Sequence, residues 1–65
     1  MDNFIGSKIR EARELISFSR EQVGRKLGVS QQQIARYESG ENKISADKLA
    51  IVSIILHQPI DFFYP

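Results

Sequence analysis

The 65-residue chain has no cysteine. It can therefore form neither a disulfide nor a thiolate metal site, and the absence is compatible with a reducing compartment. Its one histidine, His57, has no second imidazole or thiolate with which to share a structural zinc. No metal or cofactor is expected. Long apolar runs are missing too. The longest apolar-rich stretch, LAIVSIIL from Leu49 to Leu56, has eight residues, where a transmembrane helix needs about 20. The opening MDNFIGSKIR lacks the charged segment and apolar run of a secretory signal. The expectation is a soluble, cytoplasmic protein with no membrane contact. No strand alternation, internal repeat or linker is visible, which leaves an all-α chain forming one domain over residues 1–65.

Excess charge is also lacking, since the formal net charge is +1. Its distribution is uneven. Lys8, Arg10, Arg13, Arg20, Arg25, Lys26 and Arg36 face only Glu11, Glu14 and Glu21 in the stretch from Lys8 to Arg36, whereas residues 37–65 carry more acid than base. A polyanion would dock on the positive half, although ordinary surface charge accounts for the same numbers. A chain this short buries only about 60% of the surface its unfolded form exposes. Every cap and apolar face has to agree with the fold.

Four to five short helices are predicted. The first runs from Asn3 to Ile16, with Ile5, Ile9, Ala12, Leu15 and Ile16 as one stripe. Gly6 is a poor interior residue and predicts a frayed first turn. The second starts at Ser19, where SREQ fits a capping box with Gln22 reaching back; Phe18 and Val23 suit a hydrophobic staple. It ends at Leu27, and Gly28 supplies the left-handed turn. The third starts at Ser30 with a second capping box, SQQQ, in which Gln33 reaches back, and it stops near Ser39 before Gly40. The fourth runs from Ser45, its N-cap, to about Leu56. Pro59 forbids its continuation, and IDFFYP makes a last turn. Leu49, Val52, Leu56, Ile60 and Phe63 form the expected core face of this end.

Only two or three residues separate the second and third helices. That is the spacing of a helix-turn-helix, whose second helix enters the major groove of DNA. Gly24 falls where two elements must approach closely. At about 100° per residue, Ile34, Tyr37 and Glu38 share the inward side of the third helix. Gln31, Gln32 and Arg36 flank the small Ala35 on the outward side. Glutamine can bond adenine N6 and N7 together, and arginine guanine O6 and N7. Gln33 points elsewhere and serves more economically as a cap.

The segments IGSKIREAREL, FSREQVGRKLGVSQQQIARYESGENKISADKL and PIDFF resemble the phage repressor and Cro-like helix-turn-helix family, also called the xenobiotic response element family. The resemblance covers Ile5 to Phe63 and is nearest to regulators common in alphaproteobacteria. It implies a lambda-repressor-like domain that contacts bases through Gln31, Gln32 and Arg36. It implies phosphate contacts at Ser19, Arg20, Ser39 and Lys43, and a structural ion pair between Arg13 and Glu38. Most members carry glutamine where Arg20 stands; arginine keeps the phosphate role and adds charge.

Four positions depart from the family's pattern. Ser17 and His57 stand where glycine commonly ends the first and fourth helices, so both are expected in left-handed backbone. Ile51 and Ile54 lie off the core face, where relatives carry polar residues. With Phe62 and Tyr64 they form a candidate two-fold dimer patch; the competing explanation is a thicker core. A homodimer would bind a near-palindromic operator in double-stranded DNA, with recognition helices about 34–36 Å apart. The alternative is a protein-interaction module, such as an antitoxin, that holds a partner protein on the same apolar face. An enzyme is not expected. SADK, Ser45 to Lys48, has the Ser-x-x-Lys spacing of some acyl-transfer nucleophiles, but a cap serine opening a helix explains it better.

Overall fold

Three serines set three of the helix starts. A computed structural model describes residues 3–65. In it Ser19, Ser30 and Ser45 adopt extended backbone, and each side chain accepts the backbone N–H three residues on, at 3.0, 3.0 and 3.2 Å. Each such cap contributes about 1 kcal/mol by satisfying an orphan donor. Behind them run α2 (Arg20–Leu27), α3 (Gln31–Ser39) and α4 (Ala46–Ile55); α1 (Phe4–Leu15) precedes and a 3-10 turn (Ile60–Phe63) follows. The all-α reading holds, with each predicted helix in place and no strand among the described residues.

The first capping box is complete, since Ser19 N–H donates to Gln22 Oε1 at 2.7 Å. The second is only half formed. Gln33 does not reach back to Ser30; its Nε2 donates to Asn42 Oδ1 at 3.1 Å instead. The cause is the loop after α3, which folds back so that Asn42 N–H reaches the Arg36 carbonyl at 3.2 Å. This return brings the Asn42 amide beside Gln33.

Helix ends follow the predicted turn chemistry. Gly28 and Gly40 take φ of 85° and 83°; Ser17 and His57 take 60° and 59° without being glycine. Phe18 N–H bonds Arg13 O while Ser17 N–H bonds Glu14 O, and Gln58 and His57 repeat the pattern on Ser53 and Ile54. Both are Schellman closures with a side chain at the left-handed position.

The core is built from Ile9 and Ala12 of α1, Val23 of α2, Ile34 and Tyr37 of α3, Leu49 and Val52 of α4, with Leu56 and Phe63 beyond them. Two expected core residues are outside it. Leu15 is 62% exposed, because six residues past Ile9 it falls about 240° round the helix while Ile16 stays on the stripe. Ile60 is 40% exposed; the short 3-10 turn sends one anchor, Phe63, fully into the core.

Gly6 is buried inside α1 rather than a weak point. A side chain there would strike the backbone carbonyls of Tyr37 and Glu38, so α1 docks on the end of α3 by backbone approach. Gly24 does the same for the turn: an added Cβ would lie 2.7 Å from the Val29 carbonyl oxygen. α2 and α3 pack on each other, α1 lies against α3, α4 supports α2, and the 3-10 turn spans α1 and α4.

Candidate nucleic-acid interface

Glu38, near the end of α3, fastens three parts of the chain. Its carboxylate is 3% exposed. Oε2 accepts from Arg13 Nε at 2.6 Å, and Oε1 accepts from Arg13 Nη2 at 3.2 Å and from Arg20 Nε at 3.0 Å. Arg13 Nη1 continues to the Phe18 carbonyl at 2.9 Å. The Glu38 backbone oxygen accepts from Asn3 Nδ2 at 2.8 Å. The expected Arg13–Glu38 pair is therefore present, buried and bidentate, the geometry that best offsets desolvation. Arg20 joins the same carboxylate, beyond the expected pair. A sequence signal existed, since Arg20 opens α2 and the family position it occupies is normally uncharged.

This clamp holds α3 by one side. Ile34, Tyr37 and Glu38 are buried, and Gln31, Gln32 and Arg36 face away from them with Ala35 between. The Gln31 and Gln32 amides form no hydrogen bond among the described residues. Arg36 has one loose neighbour, Glu41, at 4.0 Å. Ser19, Arg20, Gln31, Gln32 and Ala35 line one open groove between the starts of α2 and α3. Two of the three predicted base contacts, Gln31 and Gln32, and two of the predicted phosphate contacts thus sit together, while Arg36 lies outside this groove.

The two remaining phosphate candidates differ from each other. Lys43 is exposed and makes no ion pair among the described residues. Ser39 is exposed as well, but its hydroxyl donates to the Arg36 carbonyl at 3.2 Å and accepts Glu41 N–H at 3.2 Å. Its one proton is committed to ending the helix. Ser19 accepts from Gln22 N–H and keeps its proton for an outside acceptor.

Much of the positive charge counted from the sequence is neutralised locally. Lys8 pairs with Glu11, Arg10 with Glu14 and Arg25 with Glu21, all between neighbouring turns of one helix. Such exposed pairs add little stability, but they leave Lys26, Arg36, Lys43 and Lys48 as the cations nearest to unmatched, while Arg20 shares the Glu38 carboxylate with Arg13.

The expected dimer patch divides. Ile54 is 74% exposed, Ile51 47% and Tyr64 43%. Phe62 is half-buried; its ring meets Phe63 edge-on at 5.3 Å and lies under Lys8 Nζ at 4.8 Å. It belongs first to the contact between α1 and the 3-10 turn. Exposure of both isoleucines removes the thicker-core explanation for them within one copy. No helix among the described residues is long and apolar enough to cross a membrane.

The chain is 41% identical over 64 residues to an uncharacterized HTH-type transcriptional regulator of Sinorhizobium medicae (strain WSM419), covering 98% of this chain and 46% of that protein. It spans about half the length of the curated relatives it matches. Its fold superimposes on the P22 c2 repressor, solved in complex with the synthetic operator 9T, with a TM-score of 0.83 at 25% identity, covering 92% of this chain and 91% of that one. It also superimposes on Fe(II) HppE in complex with substrate, with a TM-score of 0.90 at 18% identity, covering all of this chain and 37% of that one, a likeness of fold alone. The helix-turn-helix family model matches residues 9–63, a span that begins on the core residue Ile9 and ends on the core anchor Phe63. The glycine turn, the serine caps and the clamp at Glu38 all fall within it, and the chain belongs to the helix-turn-helix family of the Cro and C1 repressor type.

Proposed function

We propose that this chain binds double-stranded DNA sequence-specifically, as the DNA-contacting part of a transcriptional regulator, with α3 in the major groove. One observation carries the reading. α3 is fixed on its inner side by Ile34, Tyr37 and Glu38, while Gln31, Gln32 and Arg36 face out around a small alanine with nearly all their hydrogen-bonding capacity unused. A rigid helix with an unoccupied amide and guanidinium row suits base edges. Ser19, Arg20 and Lys43 contribute phosphate contacts, whereas the Ser39 hydroxyl, committed to the Arg36 carbonyl, is not needed for one. The likeness to the P22 c2 repressor, which was solved with a synthetic operator, supports DNA as the partner. Two copies, joined through Ile51, Ile54 and Tyr64 with Phe62 at the margin, bind a near-palindromic site.

Selection of duplexes from a randomised library at moderate salt tests this. An enriched inverted repeat with half-sites about one helical turn apart is the expected result. Weak, salt-sensitive binding without enrichment would remove specific recognition by this chain alone. The exposed Ile54 favours a second reading, in which that face holds a different protein. Arg36→Ala separates the two, because it abolishes specific DNA binding and leaves capture of a protein partner intact.

A further inference from the structure

We propose that Glu38 is a positioning residue for Arg20: the buried carboxylate holds Arg20 by its Nε so that the two terminal nitrogens of the guanidinium are presented, already ordered, to a DNA phosphate. This rests on the DNA-binding reading above.

Glu38 has its partner before Arg20 is counted. Arg13 alone engages both carboxylate oxygens, at 2.6 and 3.2 Å, and the Arg13 side chain is 10% exposed. The scaffold pair is complete without Arg20. Arg20 nevertheless adds a third bond, at 3.0 Å, to an oxygen that already has a donor. Two guanidiniums on one carboxylate leave one positive charge over. That surplus resides on the member that reaches solvent, since the Arg20 side chain is 42% exposed and Arg13 is not.

Geometry gives the surplus a direction. Nε of Arg20 is turned inward, and its terminal nitrogens form no hydrogen bond among the described residues. Arg20 lines the same groove as Ser19, Gln31 and Gln32. A guanidinium is a planar fork, so fixing Nε fixes the plane in which the other N–H groups lie. The cost of ordering a long side chain is then met in the free protein rather than on binding. Lysine cannot do the same. Its three donors sit on one freely rotating nitrogen, so it can bridge the two anions only from a point between them and offers the phosphate no fixed plane.

The test measures affinity for the selected operator as a function of salt, for the parent, Arg20→Gln and Arg20→Lys. Loss of one phosphate contact lowers the slope of log affinity against log salt by about 0.9. Arg20→Gln is expected to show that reduction and to bind roughly tenfold more weakly. Arg20→Lys is expected to recover the slope but remain roughly three- to tenfold weaker, because its charge is present and unpositioned. In a Glu38→Gln background, compared at a temperature where melting curves show it folded, adding Arg20→Lys should cost no further affinity. Where Glu38→Gln does not fold, the Arg20→Lys comparison decides alone. Parent-like affinity in Arg20→Lys would overturn the positioning role and leave DNA binding standing; an unchanged salt slope in Arg20→Gln, which removes the charge but can keep a neutral hydrogen bond, would overturn the charged contact itself. A parent chain that selects no operator would instead overturn the DNA-binding reading and this inference with it.

Discussion

Glu38 is the residue on which most depends. Its truncation leaves Arg13 buried without a counter-charge and Arg20 without its anchor. Breaking one partner of such a buried pair costs about 3–5 kcal/mol. A chain this size has roughly 3–10 kcal/mol in total. Glu38→Ala should therefore show a large unfolded fraction in urea titration at 25 °C. Arg13→Ala should fall at the lower end of the same range, because Glu38 still has Arg20; equal or greater loss in Arg13→Ala would show that Arg20 contributes nothing to the pair. Ser17 and His57 make the opposite prediction. Each holds a left-handed φ that costs a non-glycine residue about 1 kcal/mol. Ser17→Gly and His57→Gly should each raise stability by about 0.5–1 kcal/mol, read as a higher denaturation midpoint at unchanged slope.

Among the elements, α1 and α3 meet through backbone. Gly6→Ala gains helix propensity but drives a Cβ to 2.7 Å from the Glu38 carbonyl oxygen. Crowding should outweigh propensity, with a net loss of about 1–2 kcal/mol by thermal unfolding. The sequence could not show this, because a glycine inside a helix looks the same whether it is a weak turn or a docking point. What was legible was local. Serine caps, glycine stops and the spacing of Ile34, Tyr37 and Glu38 depend on neighbours within one turn, and all are where the pattern put them. The outward row of α3 follows from the same helical spacing. What was not legible depends on the return of a loop or the end of a stripe. Gln33 turns to Asn42, nine residues on, and no cap motif encodes that. Leu15 has the spacing of the α1 stripe but lies at its edge. Arg20 reaches Glu38 only once α2 and α3 have packed.

The described residues measure 26 × 23 × 21 Å along their principal axes. One copy can thus enter one major groove and cannot alone span the about 34–36 Å between successive grooves on one side of DNA. Two copies joined at the α4 face as proposed above would, and the proposal then makes binding concentration-dependent through the exposed isoleucines. Ile54→Glu should leave the unfolding midpoint within about 0.5 kcal/mol of the parent, since the residue is 74% exposed. It should also shift sedimentation equilibrium toward the monomer and weaken binding to an inverted repeat more than to a single half-site. A parent that is monomeric at high concentration would remove the patch as a self-interface.

The two sides of α3 have different ties to the rest of the fold. Ile34, Tyr37 and Glu38 cannot change without disturbing the domain, whereas Gln31, Gln32 and Arg36 touch almost nothing inside it. Mutational drift is free to run along the outer row while the inner row stays fixed. On the DNA-binding reading proposed above, chains of this build diverge in target while keeping one scaffold, and a new set of three outer residues can be grafted here without redesigning what lies beneath.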